Sequence, residues 1–191
     1  GLKDILKNPN TKGLVVDLRG NTGGLLSNAL NILDQLVPKG ENLLKTKGRI
    51  DKANRNFNAK FSTKIPKDFP MVVLIDSRSA SASEIFAGAI QDYQRGIVLG
   101  GQTFGKGTVQ EIIPMDYGQV KLTRSKFYRI SGASTQHRGV IPDIEFPDFY
   151  NAYDDIGESS LDGALPWDTV RPVEYRTYHA VHVSYLAFSL L

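Results

Sequence analysis

The apolar positions change period several times along the chain, and each change marks an element. Leu14-Val15-Val16-Asp17-Leu18 is a short, β-branched run suited to a strand covered on both faces. It stops at Arg19-Gly20-Asn21-Thr22-Gly23-Gly24. From Leu25 to Val37 the residues Leu25, Leu26, Ala29, Leu30, Ile32, Leu33 and Leu36 fall at helical spacing, and Pro38 and Gly40 end the run. Strand, Gly-rich turn and helix make half of an α/β unit. Asn42 to Phe61 alternates weakly and is rich in Lys, Arg and Asn, which predicts one strand near Leu43 to Lys47 and then an exposed excursion without visible chemistry.

Behind Pro66 and Pro70 the pattern tightens. Met71 to Asp76 predicts a buried strand, and about Ala82 to Tyr93 a helix with Ile85, Phe86, Ala89 and Ile90 on one face. Gly96 to Gly100 is the next strand and completes a β-α-β unit. Val109 to Met115 and Gln119 to Ile130 are β-rich and meet at Asp116-Tyr117-Gly118, the composition of a hairpin turn. Ser131 to Ile144 reads as an ordered loop ending in Val140-Ile141-Pro142-Asp143, and Tyr150 to Asp162 as an acidic, polar surface linker. The last twenty or so residues show no periodicity. The fold class expected is α/β, a mixed sheet with flanking helices built from β-α-β units plus a hairpin. One main domain would span 1–149, with 150–191 as linker and C-terminal tail.

Composition adds mostly exclusions. A chain of 191 residues, 41% hydrophobic and 23% charged, has the make-up of one globular domain. Its 23 basic and 20 acidic residues are scattered, so no nucleic-acid surface is expected. The absence of Cys excludes disulfides, thiol catalysis and thiolate zinc sites while leaving the compartment open. His137, His179 and His182 are the three histidines, and the His-x-x-His pair in the tail lacks supporting carboxylates, so neither metal nor cofactor is expected. No apolar run reaches membrane-spanning length, and the start at Gly1-Leu2-Lys3-Asp4 lacks the layout of a signal peptide. The short lead-in before a core strand suggests that the chain begins inside a larger protein.

The candidate chemistry lies between Ser77 and Gln110. The buried strand delivers Ser77, Ser79, Ser81 and Ser83 to a helix start, and the following strand delivers Lys106 between Gly105 and Gly107. Serine becomes a nucleophile when a neighbouring base removes its proton, and a neutral lysine amine in a desolvated setting is such a base. The first free N–H groups of a helix can hold an oxyanion. Spacing does not choose among the four serines. Ser81-Ala82-Ser83-Glu84 also matches a capping box, in which the serine is a helix cap. Lys106 has a bland reading as a lysine at a solvated turn. Asn21-Thr22-Gly23-Gly24 reads either as a flexible turn or as a donor of backbone N–H groups to an anion. A serine-histidine triad through His137 lacks the glycines of a G-x-S-x-G elbow around Ser81. Gly100 to Lys106 satisfies G-x-x-x-x-G-K, the start of a phosphate-binding loop, but Gly107 follows instead of Ser or Thr, and Thr108 to Pro114 is strand-like where that loop opens a helix. Nucleotide binding and a catalytically silent interaction module are therefore the alternatives to a hydrolase.

With these residues in view, the chain resembles the C-terminal processing peptidases, also called tail-specific proteases, a family of serine endopeptidases with a serine-lysine pair. The likeness covers about Gly13 to Asp168 and rests on Leu18 to Gly24, Ser79 to Ile85, Gln91-Asp92-Tyr93 and Thr103 to Gln110. Phe127-Tyr128-Arg129, Val140 to Ile144 and Ala164 to Asp168 look like the periplasmic tail-specific branch, and beyond Asp168 the chain is expected to leave the family pattern. The resemblance implies a ClpP/crotonase-like core. It matches Ser81 to the nucleophile, Lys106 to the general base and Gln110 to the residue that orients the lysine. It implies an oxyanion hole from the N–H groups of Ala82 and the Gly23-Gly24 turn, with Glu84, Asp92 and Thr103 in supporting positions near the site. It further implies polypeptide substrates with apolar C-termini, a PDZ domain elsewhere in the full-length protein that binds them, and a periplasmic or otherwise exported location.

Overall fold

Among the described residues the strands form two four-stranded sheets, one wholly parallel and one wholly antiparallel. The computed structural model describes residues 2–147 and 156–178. Numbered in chain order, the helices are α1 (Leu2–Lys7), α2 (Leu26–Leu33) and α3 (Ala82–Asp92). The parallel sheet has the order β1 (Leu14–Asp17), β4 (Met71–Ile75), β5 (Ile97–Gly100), β8 (Ile144–Glu145). The antiparallel sheet has the order β3 (Arg55–Asn58), β2 (Asn42–Lys47), β7 (Gln119–Tyr128), β6 (Thr108–Pro114). The α/β class holds, with one refinement: parallel and antiparallel pairing are divided between two sheets instead of sharing one. The division follows connectivity, because antiparallel β2–β3 and β6–β7 are joined by the short loops 48–54 and 115–118, whereas parallel β4 and β5 need α3 as a crossover.

α3 is the centre of the molecule. Ala82 to Ile90 are all buried, so the helix presents no broad polar face and packs against α2, β5 and β2. Ile85, Phe86 and Ile90 join Met71, Val73 and Ile75 of β4, Leu33 at the end of α2, Leu36 and Val37 just beyond it, and Phe127 of β7 in one core. Burying each such side chain contributes about 1.5–3 kcal/mol.

Three sequence expectations shift. The helix expected to Val37 stops at Leu33, where the buried Asp34 carboxylate accepts the N–H groups of Lys60 and Phe61 at 2.7 and 3.0 Å and ties the chain to the segment after β3. Leu36 and Val37 still reach the core through turns closed on Leu33 O. The excursion after β2 contains β3, whose sequence Arg-Asn-Phe-Asn hides its pairing with β2 behind polar residues. The end of the expected loop at Ile144 is the edge strand β8, aligned by Asp143, whose Oδ2 accepts the Val98 N–H at 2.8 Å. Among the described residues no helix is long and apolar enough to cross a membrane. His179, His182 and the linker residues 150–155 lie outside the described residues.

Candidate active site

In register, Leu14 pairs with Met71 and Asp17 with Leu74, so β1 and β4 end together and their following turns lie side by side. Ligand sites of open parallel sheets form at this carboxyl edge. Side chains stitch the two turns together. Asp76 accepts the Gly20 N–H at 2.9 Å, Ser79 Oγ donates to Leu18 O at 2.7 Å, and Ser83 Oγ donates to Asn21 O at 3.0 Å. Asp76 is placed by the sequence only at the end of a strand, without a role at the site. An Asp at a strand end before Ser-Arg-Ser carries the signal of an Asx turn, and it accepts the N–H of Arg78 and Ser79 at 3.0 Å each.

This stitching separates the four serines. Ser77, Ser79 and Ser83 are buried, whereas Ser81 is half-buried and lines a cleft of about 550 Å³. Its backbone is at φ 57° and ψ −113°, a sparsely populated conformation that costs on the order of 1–3 kcal/mol. The bend swings the side chain out at the strand-to-helix turn without the flanking glycines of a G-x-S-x-G elbow. Gly23 makes room for it: a Cβ there would stand 2.6 Å from Ala80 O and 2.8 Å from Ala82 N. Only glycine allows the two turns to touch. The Gly23 N–H is taken by Asn21 Oδ1 at 2.9 Å, while among the described residues the N–H groups of Gly24 and Ala82 make no backbone hydrogen bond.

Glu84 is the hub. Its side chain is wholly buried, and its two oxygens receive four donors. Oε2 accepts the N–H of Ser81 at 2.7 Å and of Lys106 at 2.9 Å, while Oε1 accepts Thr103 Oγ1 at 2.6 Å and the Gly105 N–H at 2.7 Å. The Ser81 side chain faces the Glu84 N–H as a capping box requires, but that N–H bonds to Ser81 O at 3.0 Å. Burial pushes the Glu84 carboxyl up to about 7, opposed by these hydrogen bonds.

Lys106 and Gln110 line the same cleft as Ser81, Gly23, Gly24 and Ala82. Gln110 Nε2 donates to Thr123 Oγ1 at 3.4 Å. Thr103 is buried, and besides its bond to Glu84 its Oγ1 accepts the Val140 N–H at 2.7 Å. Asp92 stands apart from the supporting place expected for it near the site, at the opposite end of α3, roughly 15 Å along the axis. There it binds Arg129 Nη2, and its Oδ2 accepts Arg129 Nε at 3.1 Å and Ser131 Oγ at 2.9 Å, clamping the chain after β7. His137 is exposed and does not line the cleft.

The phosphate-loop alternative fails on two counts. Lys106 leads into strand β6, so no helix N-terminus follows it. The N–H groups that would cradle phosphate are spent inside the protein, Gly105 and Lys106 on Glu84 and Gly107 on Gln136 Oε1 at 2.9 Å.

The chain is similar to several known proteins. A carboxy-terminal-processing protease of Bartonella bacilliformis is 43% identical over 173 residues, covering 86% of this chain and 39% of that protein. A tail-specific protease of Haemophilus influenzae is 36% identical over 181 residues, 89% of this chain and 25% of that protein. The chain thus spans well under half the length of either relative. Among solved structures, a photosystem II D1 C-terminal processing protease superposes with a TM-score of 0.65 at 32% identity, over 74% of this chain and 36% of that one. Mature CPAF shares the fold, with a TM-score of 0.64 at 18% identity over 81% of this chain and 42% of that one. A family model described as the C-terminal domain of tail specific protease (DUF3340) matches residues 151–187, so the likeness expected to end at Asp168 runs further. Matched over residues 2–146, through both stitched turns and the lysine loop, the chain belongs to peptidase family S41.

Proposed function

We propose that this chain is the catalytic part of a serine endopeptidase that cleaves polypeptides near their C-termini through an acyl-enzyme. Ser81 Oγ attacks the scissile carbonyl carbon while the neutral Lys106 amine takes its proton. The developing oxyanion is held by the N–H groups of Ala82 and of the Gly23-Gly24 turn, with Gly24 as the turn's available donor. Collapse of the tetrahedral intermediate breaks the C–N bond, and Lys106 hands the proton to the leaving amine. Water, deprotonated by Lys106, then hydrolyses the ester and frees Ser81. Gln110 orients Lys106; its Nε2 is engaged with Thr123, which leaves Oε1 to accept from the lysine.

The observation that carries this reading is the shared Glu84 oxygen, which ties the backbones of Ser81 and Lys106 to one atom beside one cleft. Thr103 supports that carboxylate, and Asp92 supports the scaffold behind it. The reading extends, on the family resemblance, to substrates with apolar C-termini, to a PDZ domain in the longer protein that binds them, to an exported location, and to a division into a core over 1–149 and a tail over 150–191.

The test is turnover of a polypeptide with an apolar C-terminus by the full-length protein, with products mapped by mass. Cuts near the C-terminus that vanish in Ser81→Ala and in Lys106→Arg are expected. A folded Ser81→Ala protein that still cleaves would refute the assignment, and a protein with no turnover at all would favour a silent interaction module.

A further inference from the structure

We infer that Gln136 and Glu158 are positioning residues for Lys106, forming a relay by which the segment after residue 155 holds the lysine loop; this rests on the function proposed above. The direction of the Lys106 Cα–Cβ bond is set by the two peptide planes that flank it. Glu84 pins the plane before Lys106 through the Lys106 N–H at 2.9 Å. Gln136 pins the plane after it, its Oε1 accepting the Gly107 N–H at 2.9 Å. Ser81 and Lys106 therefore depend on two buried side chains, of which Glu84 serves both and Gln136 serves the lysine alone.

Gln136 is 0% exposed, and both ends of its carboxamide are used. The Nε2 end donates to Glu158 Oε1 at 3.0 Å. Glu158 in turn opens a 3-10 turn (Glu158–Ser160) and donates its own N–H to Phe104 O at 2.8 Å, so this turn holds the lysine loop directly at Phe104 and through Gln136 at Gly107. The fit around the relay is close. A Cβ on Gly107 would stand 2.4 Å from Gln136 N, and the Gly107 carbonyl accepts the Phe127 N–H at 2.9 Å. A fully buried amide that loses the partner of one end cannot recover it from water. Without the Glu158 carboxylate, Gln136 relieves its orphaned N–H2 by turning, which draws Oε1 off Gly107 and frees the plane that aims Lys106. Glu158 lies in the 151–187 stretch matched to the tail-specific C-terminal domain, whereas Lys106 and Gln136 lie in the 2–146 stretch matched to the peptidase. The hold therefore passes from the second stretch into the first.

The experiment compares the full-length protein with its Glu158→Ala and Glu158→Gln variants, measuring kcat and KM on a peptide substrate and amide hydrogen exchange at Gly105 and Gly107. Glu158→Ala should lower kcat roughly 10-fold or more with KM changed less than about twofold, since misaimed groups lose rate before binding. Gly107 should exchange faster, while Gly105, held by Glu84, should not. Glu158→Gln keeps an acceptor oxygen without the charge and should restore both kcat and Gly107 protection. Wild-type kcat in Glu158→Ala, unchanged Gly107 exchange, or a Glu158→Gln protein as impaired as Glu158→Ala would each overturn the relay while leaving the peptidase reading intact. Turnover that persists in Ser81→Ala would overturn that reading and the relay together.

Discussion

Ser81 and Lys106 donate their backbone N–H groups to the same atom, Glu84 Oε2, at 2.7 and 2.9 Å. Each belongs to a different turn of the chain, and without the carboxylate nothing in the local sequence of either would align it with the other. A wholly buried acidic group is costly unless its oxygens are satisfied, and here four donors meet that requirement. The cost of burial is what gives the arrangement a measurable signature.

Burial pushes Glu84 from 4.5 up to about 7. The folded protein therefore binds a proton that the unfolded chain releases between these values. The contribution of this group is fully present below about 4.5 and is lost as pH rises through about 7, at up to about 1.4 kcal/mol per pH unit. Glu84→Gln removes the titration and also turns one acceptor into an N–H2 group facing donors, at about 1–3 kcal/mol. The stability difference between wild type and Glu84→Gln, from urea unfolding at several pH values, should shrink as pH rises through that window and then level off. A difference independent of pH would contradict the buried titration.

Ser81 carries backbone strain at φ 57°, and substitutions should separate that strain from the chemistry. Ser81→Ala keeps a Cβ and hence the strain, whereas glycine enters this region freely. Ser81→Gly should therefore be more stable than Ser81→Ala by about 1 kcal/mol, net of glycine's greater flexibility when unfolded. Both variants should be inactive. Thermal unfolding of the pair checks the strain, and an alanine variant as stable as the glycine one would count against it.

Gly23→Ala should damage the site more than its size suggests. The new methyl meets the backbone of Ala80 and Ala82 at 2.6 and 2.8 Å, and backbone atoms on a helix start cannot step aside as a flexible side chain could. With the strained φ of 93° added, a loss above about 1 kcal/mol and a near-complete loss of turnover are expected. Gly24→Ala meets no atom within 4 Å, so it carries only the strain of its φ of 157° and should leave more activity behind. Equal activity in the two variants would show that the contact between the turns is dispensable.

Much of this was readable from the chain. The β4–α3–β5 unit and the β6–β7 hairpin announced themselves because period and turn chemistry agreed there. β3 did not, since an edge strand of Arg-Asn-Phe-Asn has a single apolar residue with which to show alternation. At the site, the serine run and the Gly-Lys-Gly turn were visible, but spacing could not distinguish Ser81 from its neighbours. That distinction comes from tertiary stitching, as Ser79 and Ser83 spend their hydroxyls on Leu18 O and Asn21 O. Glu84 was readable as a capping residue from its place after Ser81. Its second duty, toward Lys106, is a long-range contact that no local pattern encodes. Gln136 and Glu158 carried no signal at all, because a lone Gln in a loop gains meaning only from what folds against it.

The central claim, that Lys106 activates Ser81, is tested most directly by reacting the full-length protein with a fluorophosphonate and mapping the adduct by mass. Wild type should gain one adduct, on Ser81. Lys106→Arg keeps the charge, but its guanidinium does not give up a proton, so labelling should slow by roughly 100-fold or more while the fold persists. An adduct on another serine, or labelling of Lys106→Arg at the wild-type rate, would contradict the account.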